Sequence, residues 1–461
     1  MLEPGMDTVA GDGNNLPSWR FHVENLGCIK SGDFEVKPLT LLCGPNNTGK
    51  TWAMYALYGF LDDTRISSPL PEIEQLLDKV KEKRIYSWDF GAWLETHADE
   101  LLETINRKMR QLLPEIFNAP EPIFAESRFD WVIDRETFVR SGISRALIFQ
   151  MNIANRHVMD FHKPAGGSEL QIILQIEEVP GLSSYLSILL LDHLMGGGNT
   201  RLRSQCFLIP AERNGLNLFY KELAYRRTAL LHPLNIADLT SDDISQYAKP
   251  IADYIDWLNK IPELLKRKPS LFHGLAGQIE AIVGGNYSVD GNGDVSFTPE
   301  KSEEKLGFHL SSSTVKSLFG LWFYLEHQAK PGDTLMIDEP ELNLHPANQR
   351  ALARLLARLV NAGLRVVVST HSDYIVREIN NLIMLSTRFE GREALIKKFN
   401  YENEDFIDCE HVTAYLFEGG TIKLMEVGSE EGIIAVTFDQ VIHSLNESSN
   451  DIFYAKRDGV E

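Results

Sequence analysis

Leu39-Thr40-Leu41-Leu42-Cys43-Gly44-Pro45-Asn46-Asn47-Thr48-Gly49-Lys50-Thr51 is the stretch from which the rest of the chain is read. Leu39 to Cys43 is an apolar run of buried-strand length, and it enters a loop with the pattern Gly-x-x-x-x-Gly-Lys-Ser/Thr. Apolar positions at helical spacing resume at Thr51 and continue to about Leu61. A strand, a glycine loop and a helix in that order suit a bound phosphate. The glycines let backbone N–H groups turn inward, and the helix N-terminus adds the positive end of its dipole. Lys50 has the reach for β- and γ-phosphates, and the Thr51 hydroxyl suits Mg2+. Gly44, Pro45, Asn46, Asn47, Thr48, Gly49, Lys50 and Thr51 are therefore the candidate nucleotide-binding residues.

Phosphoryl transfer also needs a carboxylate for the metal and a group to handle the attacking water. Thr334-Leu335-Met336-Ile337-Asp338-Glu339-Pro340 offers both, as an apolar strand ending in two acids. Asp338 joins Thr51 as the expected Mg2+ ligand, and Glu339, off the strand end, is the expected general base. A second buried strand, Arg365 to Thr370, ends at His371. That position is the carboxyl end of a strand, where open α/β sheets place their ligands, so His371 is expected to hydrogen-bond the γ-phosphate. From Leu310 onward the pattern alternates helix, strand, helix, strand, helix, which predicts an α/β fold with a mainly parallel sheet.

Outward from these motifs the pattern is mixed. Phe21, Val23 and Leu26, then Phe34 and Val36, read as strands with a turn at Ser31-Gly32-Asp33. Residues 72–117 carry apolar positions at helical spacing among many charges, and 242–266 do the same. Strand-like material lies between Ile123 and Val179, and a helix is expected from Ser183 to Met195. Asp290-Gly291-Asn292-Gly293 between short strands is a hairpin signal, and Gly419-Gly420 marks a second one, followed by an amphipathic helix.

Composition limits the class. With 461 residues, 43% of them apolar and 24% charged, the chain supports a large core. Lys and Arg number 45 against 65 Asp and Glu, a net charge of −20, so any DNA contact must be local. The basic clusters Lys81 to Arg84, Arg226-Arg227 and Lys266-Arg267-Lys268 leave that contact open. The four cysteines form no closely spaced pair, so neither a disulfide framework nor a zinc site is indicated. The most apolar stretch, Leu182 to Leu191, is too short to span a bilayer. A cytoplasmic protein with no membrane partner is expected.

The order of phosphate loop, Asp-Glu-Pro after an apolar strand and Ser-Thr-His-Ser after the next resembles the ABC-type ATPase heads of the SMC, RecF and OLD-like proteins. Leu310-Ser311-Ser312-Ser313-Thr314 opens a helix about where that family carries its signature sequence. The resemblance implies that Ser311, Ser312 and Ser313 face the γ-phosphate held by a second copy. Two ATP molecules would then join a homodimer or higher homo-oligomer. Pro210-Ala211-Glu212-Arg213 before Asn214-Gly215 is similar to a motif of the AAA-15 group, which includes ATPase subunits of anti-phage systems such as Septu and PARIS. Two placements stay open for Arg213: near the nucleotide, or paired with Glu212 on the surface.

The fold expected from the resemblance is a P-loop NTPase, an ABC-type ATPase head with a mainly parallel sheet plus β-hairpins, interrupted by helical insertions. Residues 18–62 would form its N-terminal part, 123–215 further head strands and a helix, and 285–446 its C-terminal part. Residues 63–122 and 216–284 would be helical insertions, with tails at 1–17 and 447–461. ATP and Mg2+ are the implied cofactors, and Glu339, His371 and Lys50 the implied catalytic residues. The last 90 residues after His371 hold no Asp-x-Asp, so a built-in Toprim nuclease is not expected. A separate effector, nuclease or toxin, is the expected partner of an ATPase acting in anti-phage defence. A RecF-like repair ATPase that binds DNA directly is the alternative.

Overall fold

The computed structural model describes residues 19–62, 70–153, 156–176, 181–195, 205–230, 247–434 and 446–456. β1 (Trp19–Leu26) and β2 (Ile29–Val36) pair antiparallel and lead into β3 (Leu39–Cys43), the phosphate loop and α1 (Lys50–Asp62). There follow α2 (Ile73–Lys83), β4 (Ile85–Asp89), α3 (Phe90–Phe117), β5 (Arg128–Trp131), α4 (Arg135–Ser144), β6 (Leu147–Ile153), β7 (Arg156–Lys163), β8 (Glu169–Leu174) and α5 (Leu182–Leu194). The chain then forms β9 (Cys206–Ile209), α6 (Arg213–Leu230), α7 (Lys249–Asn259), α8 (Ile261–Leu264), α9 (His273–Val283), β10 (Gly285–Val289), β11 (Val295–Pro299) and β12 (Leu306–Gly307). The alternating part is α10 (Ser313–His327), β13 (Thr334–Asp338), α11 (Pro346–Asn361), β14 (Arg365–Thr370) and α12 (Asp373–Met384). α13 (Arg392–Phe399), β15 (Val412–Glu418) and β16 (Thr421–Met425) follow.

The main sheet has nine strands in the order β5-β1-β2-β16-β15-β3-β14-β13-β9. β15, β3, β14, β13 and β9 are mutually parallel and form the half that carries the motifs. β3, β13 and β14 are buried at every residue, as strands covered on both faces must be, which is why they read as unbroken apolar runs. Their side chains divide by the two-residue period of a strand. Leu42, Met336 and Val367 enter the core on the face of α1, whereas Leu41, Ile337 and Val368 enter the core built with α10, α11 and α12. The fold is thus α/β with a mainly parallel sheet, as the alternation predicts.

A second sheet, β4-β8-β7-β6, is antiparallel throughout and lies outside the main one. The region read as purely helical therefore supplies one strand, β4, whose partner β8 comes from the strand-like stretch further on. Both hairpins form, β10 with β11 and β15 with β16. The amphipathic helix expected after the second falls largely on residues 435–445, outside the described residues, as does the start of the 242–266 helix.

The expected turn at Ser31-Gly32-Asp33 is corrected. The chain reverses at Gly27-Cys28, with Leu26 opposite Ile29, and Gly32 sits inside β2 opposite Val23. Its lack of a side chain answers a different need: a Cβ there would lie 2.5 Å from the Ile422 Cβ of β16.

Candidate nucleotide-binding site

The carboxyl ends of β3, β13 and β14 lie side by side, because β14 runs parallel between the other two. Cys43 aligns with Thr370, and Asp338 with Ser369. The register alone thus brings the phosphate loop, the two acids and the histidine to one edge of the sheet.

The loop needs its glycines. Gly44 has φ 140°, and a Cβ would meet the Phe417 carbonyl at 2.4 Å, while Gly49 has φ 105° and would meet Ile29 at 2.5 Å. Asn47 takes the left-handed conformation at φ 61°, tolerated by a short polar side chain. Lys50, buried at the head of α1, folds over the loop and donates to the carbonyls of Gly44 at 2.9 Å and Pro45 at 2.7 Å. Burial pulls its ammonium below the usual lysine range, while the charges of Glu339, Asp338 and Glu341 act the other way.

Thr51 donates its hydroxyl to Asp338 Oδ2 at 3.1 Å, and Ser369 donates to Asp338 Oδ1. Burial pushes the Asp338 carboxyl up to about 6, with the Glu339 and Glu212 charges adding and the two hydroxyl bonds opposing. A hydroxyl beside a carboxylate fits Mg2+, an oxygen-seeking ion that takes one or two protein ligands and completes its shell with phosphates and water. Among the described residues no group of three or more His, Cys, Asp or Glu is arranged to hold a metal ion.

Glu339 leaves the strand with φ 48°, a left-handed conformation unusual for a residue without a short polar side chain. Its N–H is held by the Ser369 carbonyl and hydroxyl, each at 3.1 Å. His371 Nδ1 lies 3.8 Å from Glu339 Oε1 and 3.1 Å from Glu341 Oε1. Glu341 is buried and also accepts from the Thr370 hydroxyl at 2.9 Å and the His371 N–H at 2.8 Å.

Of the two places left open for it, Arg213 does not take the surface one beside Glu212. It is 2% exposed, and NH1 donates to the Asp338 carbonyl at 2.8 Å and the Pro210 carbonyl at 3.2 Å. NH2 donates to the Glu339 carbonyl at 2.7 Å, and Nε to Ser317 of α10 at 3.0 Å. The guanidinium fork thus holds the backbone of both acids from behind, while Glu212 is exposed.

Ser311, Ser312 and Ser313 do not meet this cluster through any bond of their own. Ser312 caps α10 by accepting from Val315 N–H at 3.3 Å, Ser311 is buried with an unpartnered hydroxyl, and Ser313 is exposed. The bonds of this corner run instead to the segment after the acids: Thr314 donates to the Asn343 carbonyl at 2.8 Å and Ser317 to that of Leu342 at 3.2 Å.

Sequence reasoning therefore assembled the loop, Asp338, Glu339 and His371, and missed Ser369, Glu341 and the role of Arg213. Ser369 stands inside the strand that ends at His371, and Glu341 directly follows Thr334 to Pro340, yet only the register between β13 and β14 shows what they touch. For Arg213 the signal was the Pro-Ala-Glu-Arg motif without its partners.

Residues 204–376 match the AAA_15 family, described as an AAA ATPase domain. The match runs from β9 into α12 and contains Arg213, Ser311 to Ser313, Asp338, Glu339, Glu341 and His371. No curated protein matches the chain. Among solved structures it is similar to the SMC head domain from Thermotoga maritima, at 12% identity and TM-score 0.32, over 90% of this chain and 100% of that one. A Smc head domain with an extended coiled coil, bound to the C-terminal domain of ScpA derived from Pyrococcus furiosus, gives 11%, TM-score 0.33, 94% and 100%. An ATP-binding cassette of an ABC transporter in its ADP conformation gives 12%, TM-score 0.27, 90% and 92%. The fold assignment rests on the strand order, the phosphate loop and the family match. The chain is an ATPase of the P-loop class. No helix among the described residues is long and apolar enough to cross a membrane.

Proposed function

We propose that this ATPase works as a nucleotide-driven clamp of the ABC type, which restrains or releases a separate effector, a nuclease or toxin, in anti-phage defence. The observation that carries the reading is the convergence of Lys50, Thr51, Asp338, Glu339 and His371 at the ends of three adjacent parallel strands. The loop amides and Lys50 bind the phosphates, Thr51 and Asp338 hold Mg2+, Glu339 orients and deprotonates the attacking water, and His371 faces the γ-phosphate. When bound, Mg2+ neutralises phosphate charge. Everything else falls to the protein: the buried Ser369 and Arg213 bonds hold both acids in place before substrate arrives, which lowers the reorganisation needed during reaction.

The clamp reading is supported by the start of α10. Ser312 and Ser313 are exposed there beside Leu310, 66% exposed, and α6 presents Phe219 at 53%. A second copy placing its phosphates against these serines would cover that apolar edge. ATP binding would then close two copies, and hydrolysis would reopen them.

The test is purification of tagged Glu339→Gln protein from its native host with ATP present, followed by mass spectrometry and light scattering. A dimer carrying a stoichiometric partner with nuclease or toxin chemistry is expected. A monomer whose only companion is DNA would overturn the clamp reading in favour of direct DNA action.

A further inference from the structure

Glu341 is the one acid of the site that the reaction, as described, does not use. The residue is 6% exposed; Oε1 accepts from the Thr370 hydroxyl and the His371 N–H, and it lies 3.1 Å from His371 Nδ1. Oε2 is buried with no hydrogen-bond partner. A buried carboxylate oxygen left in that condition is costly, on the order of 1–3 kcal/mol, and a fold keeps such a group where it does something besides hold the chain together. The placement of Oε1 suggests what. A carboxylate oxygen accepts, so the contact favours the imidazole hydrogen on Nδ1 and leaves Nε2 as the ring atom turned away from Glu341.

The contrast with Glu339 sharpens the point. Both carboxylates lie near the same ring nitrogen, but Glu341 is at 3.1 Å and Glu339 at 3.8 Å. Glu341 is also the more buried of the two, with a side chain 5% exposed against 24%. The backbone under His371 is fixed as well: Ser372 caps α12 by accepting from Ile375 N–H at 3.2 Å and donates to Gln349 at 2.5 Å. The ring itself has a side chain 40% exposed, and Glu341 is the nearer of the two carboxylates beside it.

We infer that Glu341 is a positioning residue for hydrolysis, which holds His371 through Nδ1 so that Nε2 faces the γ-phosphate and Glu339 stays available for the water. The inference rests on the ATPase site reading above and adds to it the group that orients the histidine. Glu341 touches no substrate, and it acts through His371 alone.

The experiment measures steady-state ATP hydrolysis and nucleotide affinity for the full chain and for Glu341→Ala, Glu341→Gln, His371→Ala and the double variant Glu341→Ala/His371→Ala. Glu341→Ala is expected to lower kcat roughly 10- to 100-fold, by analogy with the loss of partners that orient metal-bound histidines. KM for ATP should stay within about twofold, because no binding contact is lost. The double variant should be no slower than His371→Ala to within about twofold, since the two residues act as one unit. A purely structural role would instead slow both backgrounds equally and lower the thermal midpoint in proportion. Glu341→Gln keeps an acceptor oxygen and the side-chain shape, so it should fold if Glu341→Ala does not, with a kcat loss of roughly 3- to 10-fold. Unchanged kcat in both Glu341 variants, or additive losses in the double variant, overturns the assignment while leaving the site reading intact. Wild-type turnover by Glu339→Gln in the same assay removes the site reading, and the Glu341 role with it.

Discussion

Behind the acids and at the end of α4, among the described residues, buried cations meet backbone carbonyls, and they do so for different ends. Behind the acids, Arg213 spends its donors on the carbonyls of Pro210, Asp338 and Glu339 and on the Ser317 hydroxyl. Beyond the second sheet, at the end of α4, three side chains share the same task. Lys163 donates to the carbonyls of Ile143 and Arg145, Arg145 to those of Ser141 and Leu194, and His193 Nε2 contacts that of Gly142 at 2.9 Å. α4 ends without a glycine cap, at Arg145 in extended conformation, so its last carbonyls need donors from elsewhere. The α4 knot completes a helix end. Arg213 fixes the two residues on which the proposed reaction depends. A buried cation on carbonyls therefore says nothing by itself about catalysis; what lies on the other side of the carbonyl decides it.

The sharpest way to break that comparison is to remove one cation from each place. Arg213→Met should lower kcat on the order of 100-fold, as loss of a preorganising donor does, and also reduce the thermal midpoint, because buried carbonyls lose charged partners. Lys163→Met should cost about 2–4 kcal/mol in a denaturant titration, while kcat per folded molecule stays within twofold. Equal activity losses in the two variants would dissolve the distinction.

A pH titration separates the same two regions. Burial, with Arg145 and Lys163 adding, pulls the His193 imidazole down to about 3. The unfolded chain binds a proton near pH 6.5 that the native state refuses, so stability is present above that pH and is lost as pH falls from about 6.5 toward 3. Between pH 6.5 and 5.5 the loss should approach about 1 kcal/mol, and His193→Gln should remove that slope. Smaller again is the effect at the sheet junction: Gly32→Ala meets Ile422 at 2.5 Å and should cost about 1–3 kcal/mol without changing ATP affinity.

Those same residues show what the sequence could and could not disclose. The phosphate loop and the acids at the end of β13 were legible because their chemistry is local, with glycine, lysine, threonine and two carboxylates in fixed order. The parallel sheet was legible because strands buried on both faces are continuously apolar. Arg213 was not, since its partners Asp338 and Glu339 stand 125 and 126 positions away. Gly32 was misread for the same reason: the strand that crowds it, β16, lies near the far end of the chain. β4 hid in a helical pattern because five residues give too little periodicity to contradict their neighbours.

The central claim is that Lys50 and Glu339 divide binding from turnover at one site. The direct measurement is nucleotide affinity and hydrolysis, side by side, for the wild type, Lys50→Ala and Glu339→Gln. Lys50→Ala should lose ATP affinity by roughly 100-fold, the loss of a charged contact on buried phosphates, and with it hydrolysis. Glu339→Gln should bind ATP as tightly as wild type and turn over at least about 100-fold more slowly. Normal hydrolysis by both variants would contradict the account.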